Sequence, residues 1–327
     1  MAHILYLTDT LGIHDRRFCA ALAHRGHRVS KFAYRGSGTW WDGVNVVDGK
    51  LLGDISADLV QVGPLTLLEE VADLATTHSV VATCWGSDAY MLLSATALRV
   101  LRGARAVICD CQCIVERLVQ MGVPRDCITS FAWGIDLGTF HPPSRNRIPG
   151  RRVFVSTRSL EPLYEHAFVV RAFSEVASVM PEAELRLYGT GSLRKDIRDL
   201  ARELCLPGTV HIRNPVSESE LAIILRSATA WINAARTDGT SVSLLQAMAS
   251  GAGIISTDVE CTREALGDVN AWLFESGDRS SLRQALLEAR RMDSQETAVA
   301  WERLVEMGDW SKNAEIYVQA VESACDR

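Results

Sequence analysis

The feature that most constrains this 327-residue chain is a repeated alternation. Short apolar runs of strand length exchange with amphipathic helical periods, and the pattern plays out twice around a proline-rich break. In the first half the runs are His3–Leu7, Arg28–Ala33, Val44–Val47, Leu59–Val62, Val80–Thr83, Ala106–Cys109 and Ile128–Phe131. Helical periodicity lies between several of them, at Phe18–Ala23, Leu65–Ala75 and Ile114–Gln120. Strands that are apolar on both faces and separated by helices predict a parallel sheet covered on both sides. Gly26 and Gly122 fall just past helices, where a left-handed cap needs no β-carbon.

The break is His141-Pro142-Pro143-Ser144-Arg145-Asn146-Arg147-Ile148-Pro149-Gly150, which has no periodicity and reads as a linker. The pattern restarts with Val153–Ser156, a helix around Phe168–Val179, Leu185–Tyr188, a helix Leu193–Leu204 and Val210–Ile212. It runs on through Leu221–Leu225, Ala230–Asn233, a helix Leu244–Met248, Gly253–Ser256 and a helix Leu282–Arg291. From Trp301 to Asp326 the chain is helical, with no strand. The prediction is an α/β protein of two Rossmann-like domains facing across a ligand cleft, with a C-terminal helix.

Composition removes several function classes. A formal charge of -6 and a pI near 5.8 give no electrostatic case for nucleic acid. Positive charge is almost all arginine, the lysines being Lys31, Lys50, Lys195 and Lys312. No basic-then-apolar leader opens the chain, and no window holds about 18 uninterrupted apolar residues. A cytoplasmic protein is expected. Scattered basics in the first half (Arg16, Arg17, Arg25, Arg28, Lys31) leave peripheral membrane contact open, although a solvated helix face explains them as well. Nine cysteines form no even framework and fit reduced thiols. Cys109, Cys111 and Cys113 lack the C-x2-C knuckle and second ligand pair of a metal site, so no metal is expected.

Two segments carry chemistry. Leu187-Tyr188-Gly189-Thr190-Gly191-Ser192 reads as strand, glycine turn and helix start. There small residues let backbone approach a phosphate, and a helix N-terminus offers unpaired N–H groups; a plain βα turn likes glycine equally well. It is not a dinucleotide fingerprint, since a third glycine is missing. Thr237-Asp238-Gly239-Thr240-Ser241 is a polar turn opening a helix through Leu244, Leu245, Gln246, Ala247 and Met248. Asp238 before that helix and Gln246 within it can both face a ligand at its N-terminal end, while Ser241 or Thr240 can simply cap it.

In order along the chain these and other segments resemble the retaining GT-B glycosyltransferases of group 1 (family 4 type), which include bacterial mannosyl- and N-acetylglucosaminyltransferases. The segments are Gly134-Ile135-Asp136 with Phe140-His141-Pro142, Ser156-Thr157-Arg158-Ser159-Leu160 with Arg171-Ala172-Phe173, and Leu187–Gly191. Asp238-Gly239-Thr240 through Gln246-Ala247-Met248-Ala249-Ser250-Gly251, Asn270–Phe274 before Gly277-Asp278, and Trp310 complete the set. The resemblance implies an acceptor domain at 1–143, a nucleotide-sugar donor domain at 144–305, and a helix at 306–327 packing toward the first domain. It also implies transfer of a hexosyl group from a nucleotide-diphosphate sugar to a glycan, lipid-linked or small-molecule acceptor, with retention and without a metal or other cofactor.

The roles it implies are specific. Arg158 holds the donor diphosphate. Gly189, Gly191, Gly239, Thr240, Ser241 and Val242 approach phosphates and sugar by backbone. Asp238 meets sugar hydroxyls, Gln246 the ribose, and Val216, in the turn His211–Val216, the base. The loop Thr10-Leu11-Gly12 and the strand end Trp85-Gly86-Ser87-Asp88 form the acceptor side, with Asp88 orienting the acceptor. The family pattern is altered at several of these places. Its paired glutamates read Asp238 and Gln246, Tyr164 stands near its phosphate lysine, and Trp85 and Gln61 stand at common histidine positions. These changes keep two other readings in view, a non-catalytic sugar-nucleotide or glycan binder and, less favoured, a nucleotide-sugar epimerase.

Overall fold

The computed structural model describes residues 1–9, 12–35, 44–46, 55–143, 151–206 and 208–326. Thr10 and Leu11 of the anticipated glycine loop, and 144–150 of the linker, lie outside the described residues. The chain forms two compact units, Met1–Trp133 with Trp310–Arg327, and Gly134–Asp309.

The first unit holds the parallel strands β1 (His3–Thr8), β2 (Arg28–Ala33), β3 (Asn45–Val46), β4 (Leu59–Gly63), β5 (Ser79–Thr83), β6 (Ala106–Cys109) and β7 (Ile128–Ser130). They pair in the order β3-β2-β1-β4-β5-β6-β7. Leu5, Leu7, Val60, Val81 and Ile108 are fully buried, as expected for a sheet covered on both faces. Helices α1 (Ile13–His24), α2 (Ala95–Gly103) and α3 (Gln112–Gln120) cover it, together with the C-terminal helix α11 (Trp310–Asp326). The hydroxyl of Ser94 caps α2 by accepting from the Ala97 N–H at 3.1 Å.

One expectation fails here. Leu65–Ala75 is not an α-helix but two 3₁₀ turns, Leu65–Leu67 and Leu74–Thr76. The Leu65 N–H is captured by the Asp88 carboxylate at 2.8 Å, and Leu65, Leu68 and Val71 are buried without α periodicity. The stretch Trp301–Asp326 is helical as expected, in two pieces. It breaks between α10 (Ser294–Met307) and α11, where the Gly308 carbonyl accepts from the Ile135 N–H at 2.7 Å. From Trp310 onward the chain belongs to the first unit. There the Tyr317 hydroxyl donates to Gln61 Oε1 at 2.7 Å, Gln61 Nε2 donates to Thr83 Oγ1 at 3.1 Å, and Asn313 donates to the Ala132 carbonyl at 2.7 Å.

The second unit holds β8 (Val153–Ser156), β9 (Glu184–Tyr188), β10 (Val210–Arg213), β11 (Ala230–Asn233), β12 (Gly253–Thr257) and β13 (Trp272–Phe274). These are parallel in the order β10-β9-β8-β11-β12-β13. Its helices include α4 (His166–Ala177), α5 (Arg194–Glu203), α6 (Glu218–Ser227), α7 (Val242–Ala249), α8 (Glu260–Leu266) and α9 (Arg279–Glu288). Leu221–Leu225 thus lies in a helix, opened by a capping box in which Ser217 and Glu220 satisfy each other's backbone N–H groups. Phe154, Phe173, Leu185 and Ile232 centre the core at zero exposure, each contributing about 1.5–3 kcal/mol by burial. Two sheets of this order with helices on both faces make up the GT-B architecture.

Candidate donor site

In an open parallel sheet, ligands bind beyond the carboxyl ends of the strands where the strand order reverses. In the second unit that point lies between β8 and β11, since chain order runs outward from β8 one way and from β11 the other. Strand β8 leads straight into Thr157-Arg158, and β11 leads into the loop that carries Asp238 to Ser241. Topology therefore brings Arg158 and Asp238 together from 80 residues apart.

The Arg158 guanidinium bonds both sides of that loop. One arm donates to Ser241 Oγ at 2.6 Å and the other reaches Asp238, at 3.1 Å to Oδ1 and 2.9 Å to Oδ2. Below it lies the Tyr164 ring, 4.2 Å from the guanidinium carbon, a cation–π distance. Both charged side chains are nearly buried, at 11% and 10% exposure. Burial pushes the Asp238 carboxyl up, while Arg158, the Gly239 N–H and Asn233 pull the other way. Burial also opposes the Arg158 charge, but Asp238 and Tyr164 outweigh it and hold its pKa above the usual value. Among the described residues Arg158 Nε, Asp238 Oδ2 and His166 Nδ1 have no hydrogen-bond partner.

Ser241 is also the cap of α7, its hydroxyl accepting from the Leu244 N–H at 3.4 Å. One hydroxyl thus joins the helix N-terminus to the arginine. Gly239, Thr240, Ser241 and Val242 line the approach to that N-terminus, with Thr240 and Ser241 buried. Gln246 sits in α7 at 8% exposure; among the described residues its amide has no hydrogen-bond partner. Val216 is half-buried beyond the end of β10.

The glycine turn has a reason in packing. A β-carbon at Gly189 would lie 2.7 Å from the Arg158 carbonyl oxygen, and one at Gly191 would lie 2.4 Å from that of Leu160. The Leu160 N–H donates to the Thr190 carbonyl, and the Leu193 N–H to the Leu160 carbonyl. The turn is therefore clamped onto the segment that carries Arg158. The N–H and hydroxyl of Ser192, at the start of α5, both donate to the Glu161 carboxylate.

Sequence reasoning missed His166. It is buried at the first turn of α4, its Nε2 3.2 Å from Ser156 Oγ. Burial, then the Arg158 charge, lower its pKa to about 4, so it is neutral near pH 7. A lone histidine outside any motif gives no signal in the sequence; only the fold puts it behind Arg158.

In the first unit, Gly12 caps α1 and its N–H donates to Asp15 Oδ2 at 2.8 Å. A β-carbon there would lie 2.9 Å from that oxygen, so glycine makes room for the capping carboxylate. Trp85 is half-buried in an aromatic cluster, stacked on Phe18 at 5.5 Å and meeting His14 at 5.9 Å. Asp88 is 4% exposed. Its oxygens accept from the Leu65 N–H and from Cys84 Sγ at 3.3 Å, and burial pushes its pKa up. That geometry makes Asp88 a fastener of the Leu65 loop. Gln61, bonded to Tyr317 and Thr83, is likewise a fastener.

Comparison with known proteins agrees with this architecture. Residues 151–291 match the family model for glycosyl transferases group 1. The chain is 28% identical over 187 residues to the phosphatidyl-myo-inositol mannosyltransferase of Mycolicibacterium smegmatis, a match covering 54% of this chain and 47% of that protein. The chain thus spans about half the length of that relative. The structure of HepE from Anabaena in complex with UDP-glucose superposes with a TM-score of 0.78 at 15% identity, over 100% of both chains. Sucrose-phosphate synthase from Thermosynechococcus elongatus does so at 0.76 and 15%, over 98% of both. The superpositions show the GT-B fold, and the likeness to glycosyl transferases group 1 spans residues 151–291.

Proposed function

We propose that the protein transfers a hexosyl group from a nucleotide-diphosphate sugar to an acceptor alcohol with retention of configuration and without a metal. The observation that carries this reading is the Arg158 fork, set at the strand-order reversal and against the N-terminus of α7. A guanidinium and a helix N-terminus converging on one point favour an anion such as a diphosphate. Arg158 and the backbone of Gly239–Val242 take the diphosphate, Asp238 the sugar hydroxyls, Gln246 the ribose and Val216 the base. Gly12 and Trp85 serve the acceptor, which is a glycan, a lipid-linked sugar or a small molecule. The leaving phosphate takes the acceptor proton during front-face attack, so the protein contributes positioning and charge stabilisation. The proposed setting is cytoplasmic, with peripheral membrane contact where the acceptor is lipid-linked.

A second reading, a binder without turnover, draws on the Arg158–Asp238 bond, which occupies the very groups a donor needs. Incubation with UDP-, GDP- and dTDP-sugars plus an acceptor extract separates the two. Transfer, or slow donor hydrolysis, supports the enzyme. Tight nucleotide binding with neither would leave the binder.

A further inference from the structure

A cavity of about 540 Å³ opens in the first unit at the amino ends of β5 and β6, where the last turn of α2 meets the 3₁₀ turn at Leu74–Thr76. These strand ends are opposite to the carboxyl ends, where Trp85 and Gly63 lie. Arg99, Arg105, Thr76, Thr77, His78 and Ser79 supply its polar lining, and no aspartate or glutamate is among the lining residues. Val80 and Val100 supply an apolar wall. The neighbouring Arg102 is spent on the Met121 carbonyl, 2.8 Å away. The side chains of Arg99 and Arg105, by contrast, are exposed and make no hydrogen bond or ion pair among the described residues.

Placement on α2 explains part of this. Cations near a helix C-terminus complement its partial negative charge, which accounts for Arg102 and contributes to the position of Arg99. It does not account for Arg105, which lies beyond the helix at the start of β6, nor for a cavity between them. Two full positive charges outweigh the half charge of one helix end. At Gly103, one turn after Arg99 and so on the same face, a β-carbon would meet nothing within 4 Å. Gly103, one of the lining residues, therefore leaves open space beside it.

We propose that this cavity binds a phosphomonoester. Arg99 and Arg105 take its phosphate oxygens, and Val80 and Val100 receive its organic part. Guanidinium forks match phosphate geometry. The volume is that of a small-molecule pocket and too large for a bare anion. The same chemistry is offered by a soluble sugar or glycerol phosphate and by a phosphate headgroup at a lipid surface.

Titration calorimetry on the full chain tests the proposal with glycerol 3-phosphate and glucose 6-phosphate. Sedimentation with vesicles containing phosphatidic acid tests the lipid source. Arg99→Ala with Arg105→Ala, and separately Gly103→Glu, which sets a carboxylate in the open space beside Gly103, are expected to weaken binding at least tenfold. Gly103→Gln controls for bulk, and Arg158→Ala for phosphate held at the donor site; both should bind within twofold of the parent protein. Loss confined to the vesicle assay would assign the headgroup as ligand. Phosphate binding that survives the arginine and Gly103→Glu variants, or no binding to either probe by the parent protein, overturns the proposal.

Discussion

Removing the Arg158 side chain should cost the protein in two separable ways. Arg158 and Asp238 are at 11% and 10% exposure and 2.9 Å apart, so Arg158→Ala leaves a nearly buried carboxylate with only the Gly239 N–H and Asn233 to support it. Breaking a buried pair by deleting one partner costs about 3–5 kcal/mol, and the remaining exposure argues for the lower end. For a domain of this size about 3 kcal/mol lowers the thermal midpoint by roughly 6–12 °C. The penalty comes from the stranded charge, so Asp238→Asn added to Arg158→Ala should restore about half of it. Coupling between the two sites should then exceed about 1.5 kcal/mol, within the range for residues in direct contact. Donor binding is the second loss. A charge-assisted fork is worth about 1.5–3 kcal/mol, or roughly 10–150-fold in Kd, and the double variant should not regain it. The cycle is read by thermal melting and by calorimetry with UDP, GDP and dTDP. Additive melting shifts, or a single variant that melts within about 2 °C of the parent and binds nucleotide unchanged, would refute the reasoning, since 3 kcal/mol cannot hide in so small a shift.

Three other outcomes follow from the same geometry. Tyr164→Leu removes the ring under Arg158 and should weaken donor binding by about 0.5–2 kcal/mol, whereas Tyr164→Phe keeps most of it; equal losses in both variants would mean that the hydroxyl matters and the face does not. His166, lowered to about 4 in the fold against about 6.5 unfolded, binds more protons unfolded than folded between those values. Its contribution is full above pH 6.5 and is lost as pH falls toward 4, by at most about 3 kcal/mol; urea midpoints of His166→Gln should lack that slope, and an identical slope would place its origin elsewhere. Gly191→Ala drives a β-carbon against the Leu160 carbonyl and should destabilise by about 1–3 kcal/mol, so a stably folded variant that has lost only donor affinity would return this glycine to the phosphate.

Much of the fold was legible because strands buried on both faces advertise themselves as continuous apolar runs. Ala106–Cys109, Val153–Ser156 and Ala230–Asn233 have the bounds read from the sequence. Leu65–Ala75 was misread because helical spacing of apolar residues also fits two 3₁₀ turns, and the deciding bond, Asp88 to the Leu65 N–H, is made by a residue 23 positions away. The break at Gly308 was hidden for the same reason, since the Ile135 N–H that fixes it comes from far upstream. At the site, Arg158 and Asp238 were nameable from their motifs, but their bond was not. His166, in no motif, and the packing role of Gly189 and Gly191 could be read only once β8 and β9 lay side by side.

The altered residues make more sense together than singly. Against the family pattern the sequence resembles, the site lacks one cation, with Tyr164 near the lysine position, and one anion, with Gln246 at the second glutamate. Losing either alone would leave an unbalanced charge in a region where Arg158 and Asp238 are already nearly buried, and an uncompensated buried charge is the costly case. Losing both leaves one arginine and one aspartate, a neutral pair bonded to each other. The tyrosine then supports the remaining cation through its ring, a role that lysine could not fill. The glutamine keeps a donor and an acceptor, unpaired among the described residues, on the helix whose N-terminus faces the same point. If the proposed function holds, a donor diphosphate entering such a site would compete with Asp238 for Arg158 and free the carboxylate as it binds. The sugar hydroxyls would then meet an aspartate released by the phosphate rather than one standing ready, so the proposal orders occupation of the diphosphate position before recognition of the sugar.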